Sequence, residues 1–157
     1  MLAIVWHSRT GAARSMAQAA FDGAGNGAVL LAADQATPDA MLASHAYLFV
    51  CPENLGTMSG AMKEMFDRNY YALLGKIEGR AYATAISAGS DGEGASAQVD
   101  RIATGWRLRR VAERIIVNLD VQTPEAILAT KIVPANELVR CRELGAALAE
   151  GIRLGIF

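Results

Sequence analysis

The sequence offers little that would cross-link the chain, chelate a metal or draw it to a polyelectrolyte. It has two cysteines, Cys51 and Cys141, far apart and in different expected elements, so no disulfide framework is available. The apolar start, Met1 to Trp6, is too short for a secretion signal, and the expectation is two reduced thiols in a cytoplasmic protein. The two histidines, His7 and His45, have no further ligands around them at zinc spacing, so no metal site is expected. A net charge of −1 gives no bulk attraction to nucleic acid. No apolar run approaches the roughly 18 residues of a membrane helix, and there is no repeat, linker or low-complexity segment. What is present suits a packed interior. Of 157 residues 52% are hydrophobic and 20% charged, enough for one full core without disulfide or metal, so a single domain over 1–157 is expected.

Short apolar runs alternate with segments of helical periodicity. Leu2–Trp6, Val29–Ala32, Tyr47–Cys51, Ala81–Ser87 and Ile115–Leu119 read as strands, because each is brief, nearly continuous and apolar. Between them Ala13, Met16, Ala17, Ala20 and Phe21 form one helical stripe, Met58, Met62, Met65 and Phe66 another, and Val99, Ile102, Ala103 and Trp106 a third. Cys141, Leu144, Gly145, Leu148 and Ile152 mark the last helix. Thr37-Pro38-Asp39 and Thr123-Pro124-Glu125 are helix starts, with threonine as the cap and proline at the first helical position. This alternation predicts an α/β fold with a five-stranded parallel sheet, doubly wound and covered on both faces, its ligands at the carboxyl ends of the strands.

Three loops at that edge are unlike plain connections. The first, His7 to Ser15, leaves a strand and opens a helix. Ser8 and Thr10 carry hydroxyls, Gly11 and Ala12 let the backbone approach an anion, and Arg9 and Arg14 add charge, so it reads either as a phosphate cradle or as a polar turn capped by threonine. It lacks the Gly-Lys-Ser/Thr of a Walker A loop. Its spacing is similar to the anion loop of low-molecular-weight tyrosine phosphatases, but Ser8 stands where their cysteine would, which excludes thiolate attack. The second, Cys51 to Gly60, pairs a stiffening Pro52 with a turn at Gly56. Glu53 and Asn54 offer acceptors to a planar heterocycle, Leu55 and Met58 offer apolar surface, and Ser59 can cap the following helix. Met58 can equally belong to the core. The third, Ser87 to Ala95, carries Gly89, Gly92 and Gly94, which suit a backbone that lies close against something or simply a flexible connection.

At these loops the chain resembles the flavodoxin-like superfamily, nearest to its NAD(P)H-dependent FMN reductase and multimeric-flavodoxin (WrbA-like) branch. Ser8-Arg9-Thr10-Gly11-Ala12 is similar to the phosphate loop. Pro52 to Gly60, with Lys63 and Asp67-Arg68, is similar to a Pro-Glu-Tyr-x-Gly-Ser and Lys-x-x-x-Asp pattern, and Gly79-Arg80 to the Gly-Lys that opens the next strand. The resemblance implies a three-layer sheet in the order 2-1-3-4-5. It implies FMN as cofactor, with the phosphate on Ser8, Arg9, Thr10, Gly11, Ala12 and Ala13. The isoalloxazine then lies between Pro52, Glu53, Asn54, Leu55, Gly56 and Met58 on one side and Ser87, Ala88, Gly89, Ser90 and Gly92 on the other. Two departures stand out. Arginine is unusual in that phosphate loop, and Asn54 replaces the usual aromatic, so the flavin face is expected to be open. Tyr70 and Tyr71 are placed to lend aromatics across a dimer interface, or to pack as ordinary half-buried residues.

Hydride transfer to a flavin needs no protein acid or base, so no catalytic residue is expected. The reading is an NAD(P)H-dependent oxidoreductase passing electrons to free flavin, quinone or a similar small acceptor, with NAD(P)H as partner, no membrane or nucleic acid, and a homo-oligomeric state (dimer or higher). The alternative is a flavodoxin-type electron-transfer protein without its own NAD(P)H activity. The near-neutral charge and missing ring aromatics count against that. A flavin-free signalling domain of the same architecture would need acidic residues where His7-Ser8 stand and an aspartate where Pro52-Glu53 stand. Arg101, Arg107, Arg109, Arg110 and Arg114 form a basic cluster for an NADPH phosphate or an acidic partner, or a solvated surface.

Overall fold

Side chains alternate along every central strand, and the alternation divides the interior in two. In the computed structural model, which describes residues 1–157, β1 (Leu2–Trp6), β2 (Ala28–Ala32), β3 (Ala46–Asn54) and β5 (Ala81–Ala88) are parallel and run in the order β2-β1-β3-β5. Leu2, Ile4, Leu48, Val50, Ala83 and Ala85 face one layer, and Ala3, Val5, Tyr47, Phe49, Tyr82 and Ile86 the other. Helices α1 (Ala12–Ala24) and α6 (Ala135–Arg153) cover the first face, and α3 (Gly60–Leu73) and α4 (Glu93–Gly105) cover the second. The short α2 (Pro38–Leu42) adds Met41 to that second layer. Its carbonyl end is gathered by Arg80, which donates to the Leu42 carbonyl at 2.9 Å, and to that of Ser44.

The fifth strand is broken. Arg109–Arg110 (β6) pairs with the start of β5, and Ile115–Asn118 (β7) pairs with its end, along one edge. Two arginines carry no apolar signal, so only the second half is legible in the sequence. β4 (Thr57–Met58) is a further antiparallel addition that folds back on the end of β3. The sheet is thus doubly wound in the expected order, with these two short additions. Thr37 and Thr123 cap as expected, accepting the N–H groups of Ala40 and Ala126 at 3.3 and 3.2 Å. The second of these opens α5 (Pro124–Leu128). No helix is long and apolar enough to cross a membrane.

Candidate functional site

The loops that leave β1, β3, β5 and β7 enclose one cleft of about 750 Å³ at the carboxyl edge of the sheet. From the first loop it is lined by Arg9, Thr10 and Ala12. Here the chain enters α1 through Gly11, whose φ of +99° a side chain would strain. Ser8 shapes this entry: its hydroxyl accepts the Gly11 N–H at 3.1 Å. Thr10 does not cap the helix, and its carbonyl instead accepts the Lys131 N–H at 2.8 Å. The N–H groups of Ala12, Ala13 and Arg14 have no acceptor within the helix, as at any helix start. Of these residues Ala12 lines the cleft, while Ala13 is wholly buried beneath it.

The second loop is a tight hairpin. β3 and β4 are joined by Leu55 and Gly56 alone, both with positive φ (+52° and +73°), the pattern of a type I′ turn. That position favours asparagine or glycine, yet Leu55 holds it with its side chain fully exposed at the cleft mouth. Leu55→Asn should therefore stabilise the fold by about 1 kcal/mol, the left-handed penalty of an ordinary side chain. A urea midpoint that stays put or falls would show that the turn is unstrained.

Glu53 does something the sequence does not disclose. Its carboxylate accepts the Gly92 N–H at 2.8 Å and the Ala95 N–H at 2.9 Å, so it caps α4 and ties the second loop to the third. It also lines the cleft, and each of its oxygens accepts one of these N–H groups. The glycines of the third loop also lie against the chain itself. A Cβ on Gly94 would stand 2.0 Å from the Gly56 carbonyl oxygen, and one on Gly92 would stand 2.5 Å from Ile116. Gly89 is similarly close to Val121, at 3.1 Å. Ser87, Ala88, Gly89 and Ser90 line the cleft.

A fourth wall was not foreseen. Leu119, Val121, Ile127, Leu128 and Lys131 complete the lining. The Leu119 and Val121 N–H groups bond to Ala88 and Gly89, and that of Lys131 to Thr10, so the segment spans from the third loop to the first. The signal was available: this loop follows the fifth strand and so reaches the same edge, and Ile127, Leu128 and Ile132 are too apolar for a plain surface connection. No aromatic lines the cleft.

The remaining expected residues sit behind the lining. Ser8 and Gly11 build the first loop, Ala13 is in the core beneath it, and Gly92 gives its N–H to Glu53. Met58 belongs to the core, and its N–H donates to Oε1 of Gln98 on α4 at 2.9 Å. Ser59 makes no side-chain cap, and its hydroxyl lies 2.8 Å from Nδ1 of His7. The pKa of that imidazole is lowered by burial and by Arg9, with Asp34 opposing. The two thiols are inert packing groups, burial pushing Cys51 up to about 12 and Cys141 up to about 11. Tyr70 and Tyr71 stack edge to face at the far end of α3, roughly 20 Å from the cleft by helix length. None of the five clustered arginines lines the cleft, and Arg107, Arg110 and Arg114 pair with Glu78, Asp100 and Glu93.

Among the polar side chains that line the cleft, Glu53 and Lys131 are engaged within the chain. Lys131 donates from Nζ to the Ile127 carbonyl at 2.8 Å. Arg9, Thr10, Asn54, Ser87 and Ser90 have side chains without any partner, the first two at one end and the last three towards the other. No protein-family model and no curated protein matches the sequence. Solved structures do. A flavodoxin from the domain Archaea is 19% identical, covering 98% of this chain and 99% of its own, with a TM-score of 0.77. A WrbA-like flavodoxin from Agrobacterium tumefaciens is 20% identical, covering 98% and 97%, with a TM-score of 0.70. A flavodiiron core from Synechocystis is 17% identical with a TM-score of 0.77, and there the match covers 98% of this chain but 36% of the other. The chain has the flavodoxin-like fold.

Proposed function

We propose that the chain is an FMN-binding flavoprotein, most simply an NAD(P)H-dependent oxidoreductase that passes electrons to a small acceptor. The observation that carries the reading is the set of unpartnered polar groups along one cleft. At one end the start of α1, which no side chain caps, the Thr10 hydroxyl and the Arg9 guanidinium suit a phosphate. Towards the other, the Asn54 amide and the Ser87 and Ser90 hydroxyls suit the carbonyl and N–H edges of a flat heterocycle, with aliphatic surface from Leu55, Leu119 and Leu128 beside them. The donor set fits FMN. The flavin, when bound, supplies the hydride and electron chemistry. The chain's own residues bind and orient it. Glu53, fixed on the α4 N-terminus, holds the two ring-side loops together, and the 119–131 segment narrows the cleft against water.

The flavodoxin-type reading remains a second proposal, favoured by one feature: Leu55, Ile127 and Leu128 expose an aliphatic rim around the mouth, which suits a protein surface. The proposed homo-oligomer would use the exposed Tyr71 and Leu74 at the end of α3. The test is an FMN titration of the stripped protein, followed by anaerobic addition of NADH and NADPH. Binding followed by bleaching of the flavin band is the expected result. Binding without bleaching favours the electron-transfer reading, and failure to bind removes both.

A further inference from the structure

The three charged side chains that line the cleft are not equivalent. Both oxygens of Glu53 accept backbone N–H groups. The Lys131 ammonium is held by the carbonyls of Ile127 and Ala129, at 2.8 and 2.5 Å. Arg9 has neither an ion pair nor a hydrogen bond, and its side chain is exposed beside the start of α1. Arg14, one turn along, is turned away: its guanidinium lies 5.9 Å from the Trp6 ring and is not part of the lining. One unpaired cation of the lining therefore stands beside the start of α1.

We infer that Arg9 determines the charge specificity of this cleft, selecting ligands that end in a phosphate monoester over their uncharged or diester counterparts. The inference rests on the flavin-binding reading above and adds the group that sets its selectivity. Backbone N–H groups and a threonine hydroxyl are neutral donors, and they distinguish weakly between one negative charge and two. A guanidinium brings a full charge and a fork of donors that grips two phosphate oxygens at once. A monoester carries about −1.5 to −2 at neutral pH and gains most from it. The pyrophosphate diester of FAD carries one charge on each phosphorus and no terminal dianion for the fork to grip, and riboflavin carries no phosphate at all. Because Arg9 is exposed, its grip is screened by salt. Because it supports no contact within the fold, its replacement leaves stability unchanged.

The test compares wild type, Arg9→Gln and Arg9→Lys, titrated with FMN, riboflavin and FAD by flavin fluorescence at low and at high salt. Arg9→Gln is expected to lose roughly ten- to a hundredfold in FMN affinity, the worth of a charged hydrogen bond. Riboflavin affinity and the thermal midpoint should stay as they are, and the salt dependence of FMN binding should flatten. Arg9→Lys should recover part of the loss. If wild type binds FMN and Arg9→Gln binds it equally well, or loses FMN and riboflavin alike, the inference fails while the flavin reading stands. If wild type binds no FMN, the flavin reading itself fails, and the inference falls with it.

Discussion

Replacing Gly145 with alanine is expected to destabilise the protein by about 3 kcal/mol, a lowering of the thermal midpoint by roughly 10 °C for a chain of this size. The cause is the seam between α1 and α6. A Cβ on Gly145 would stand 1.9 Å from the carbonyl oxygen of Ala20 and 2.8 Å from its Cα, and Gly23 makes the reciprocal approach, 2.0 Å from the Arg142 carbonyl oxygen. These neighbours are backbone, so no side chain can rotate aside, and the helices must separate. Separation loosens contacts along the buried Ala13, Ala17, Ala20, Cys141 and Leu148, which lie in the layer between the helices and the sheet. Gly105, at the end of α4 with nothing within 4 Å of its Cβ position, is the control. There alanine should add roughly 0.5 kcal/mol through helix propensity alone. Urea unfolding of both variants, with unchanged slopes, checks the pair. Equal effects at the two positions would show that the seam is not tight.

The contrast between those two glycines shows where sequence reasoning stops. Gly145 was legible as part of the buried face of the last helix, but not as the point where another backbone passes. A glycine shows that something can come close without showing what. The same holds in the third loop, where Gly89, Gly92 and Gly94 suggested a backbone close against something or a flexible connection, and the neighbours they meet are Val121, Ile116 and Gly56. The strands were readable because burial on both faces writes itself as short apolar runs. Their parallel pairing followed from alternation with helices, and with it the location of the cleft, because every loop after a parallel strand leaves at one edge, while their order came from the resemblance. The loop after the fifth strand obeys that rule too, and its wall of Leu119, Val121, Ile127 and Leu128 was missed only because the other three loops carried louder motifs. The capping of α4 by Glu53 was not available at all. It joins residues far apart in the chain, and nothing local to Glu53 distinguishes a carboxylate that caps a distant helix from one that faces a ligand.

Gly11→Asp should abolish FMN binding at micromolar concentrations, and it tests where the phosphate sits more sharply than any loss of a contact. Affinities from micromolar to nanomolar correspond to roughly 8–12 kcal/mol. The substitution acts on that sum twice. It forces a side chain onto a backbone with φ of +99°, which displaces the entry to α1. It also brings a carboxylate to the helix cap, where it competes with the phosphate for the N–H groups of the first turn and repels it. Gly11→Ala separates the two effects. Its Cβ has room, the nearest atoms being Thr130 Cγ2 and the Lys131 carbonyl oxygen, both at 3.9 Å, so alanine adds only the backbone strain. The expected order of FMN affinity is wild type, then Gly11→Ala with a loss of roughly tenfold, then Gly11→Asp with a loss of at least a hundredfold. Riboflavin, which presents no phosphate, should bind Gly11→Ala and Gly11→Asp alike. If Gly11→Asp takes up FMN as well as Gly11→Ala does, the phosphate does not lie on α1. The aliphatic wall after β7 would then have to be read as its neighbour in place of the ring's.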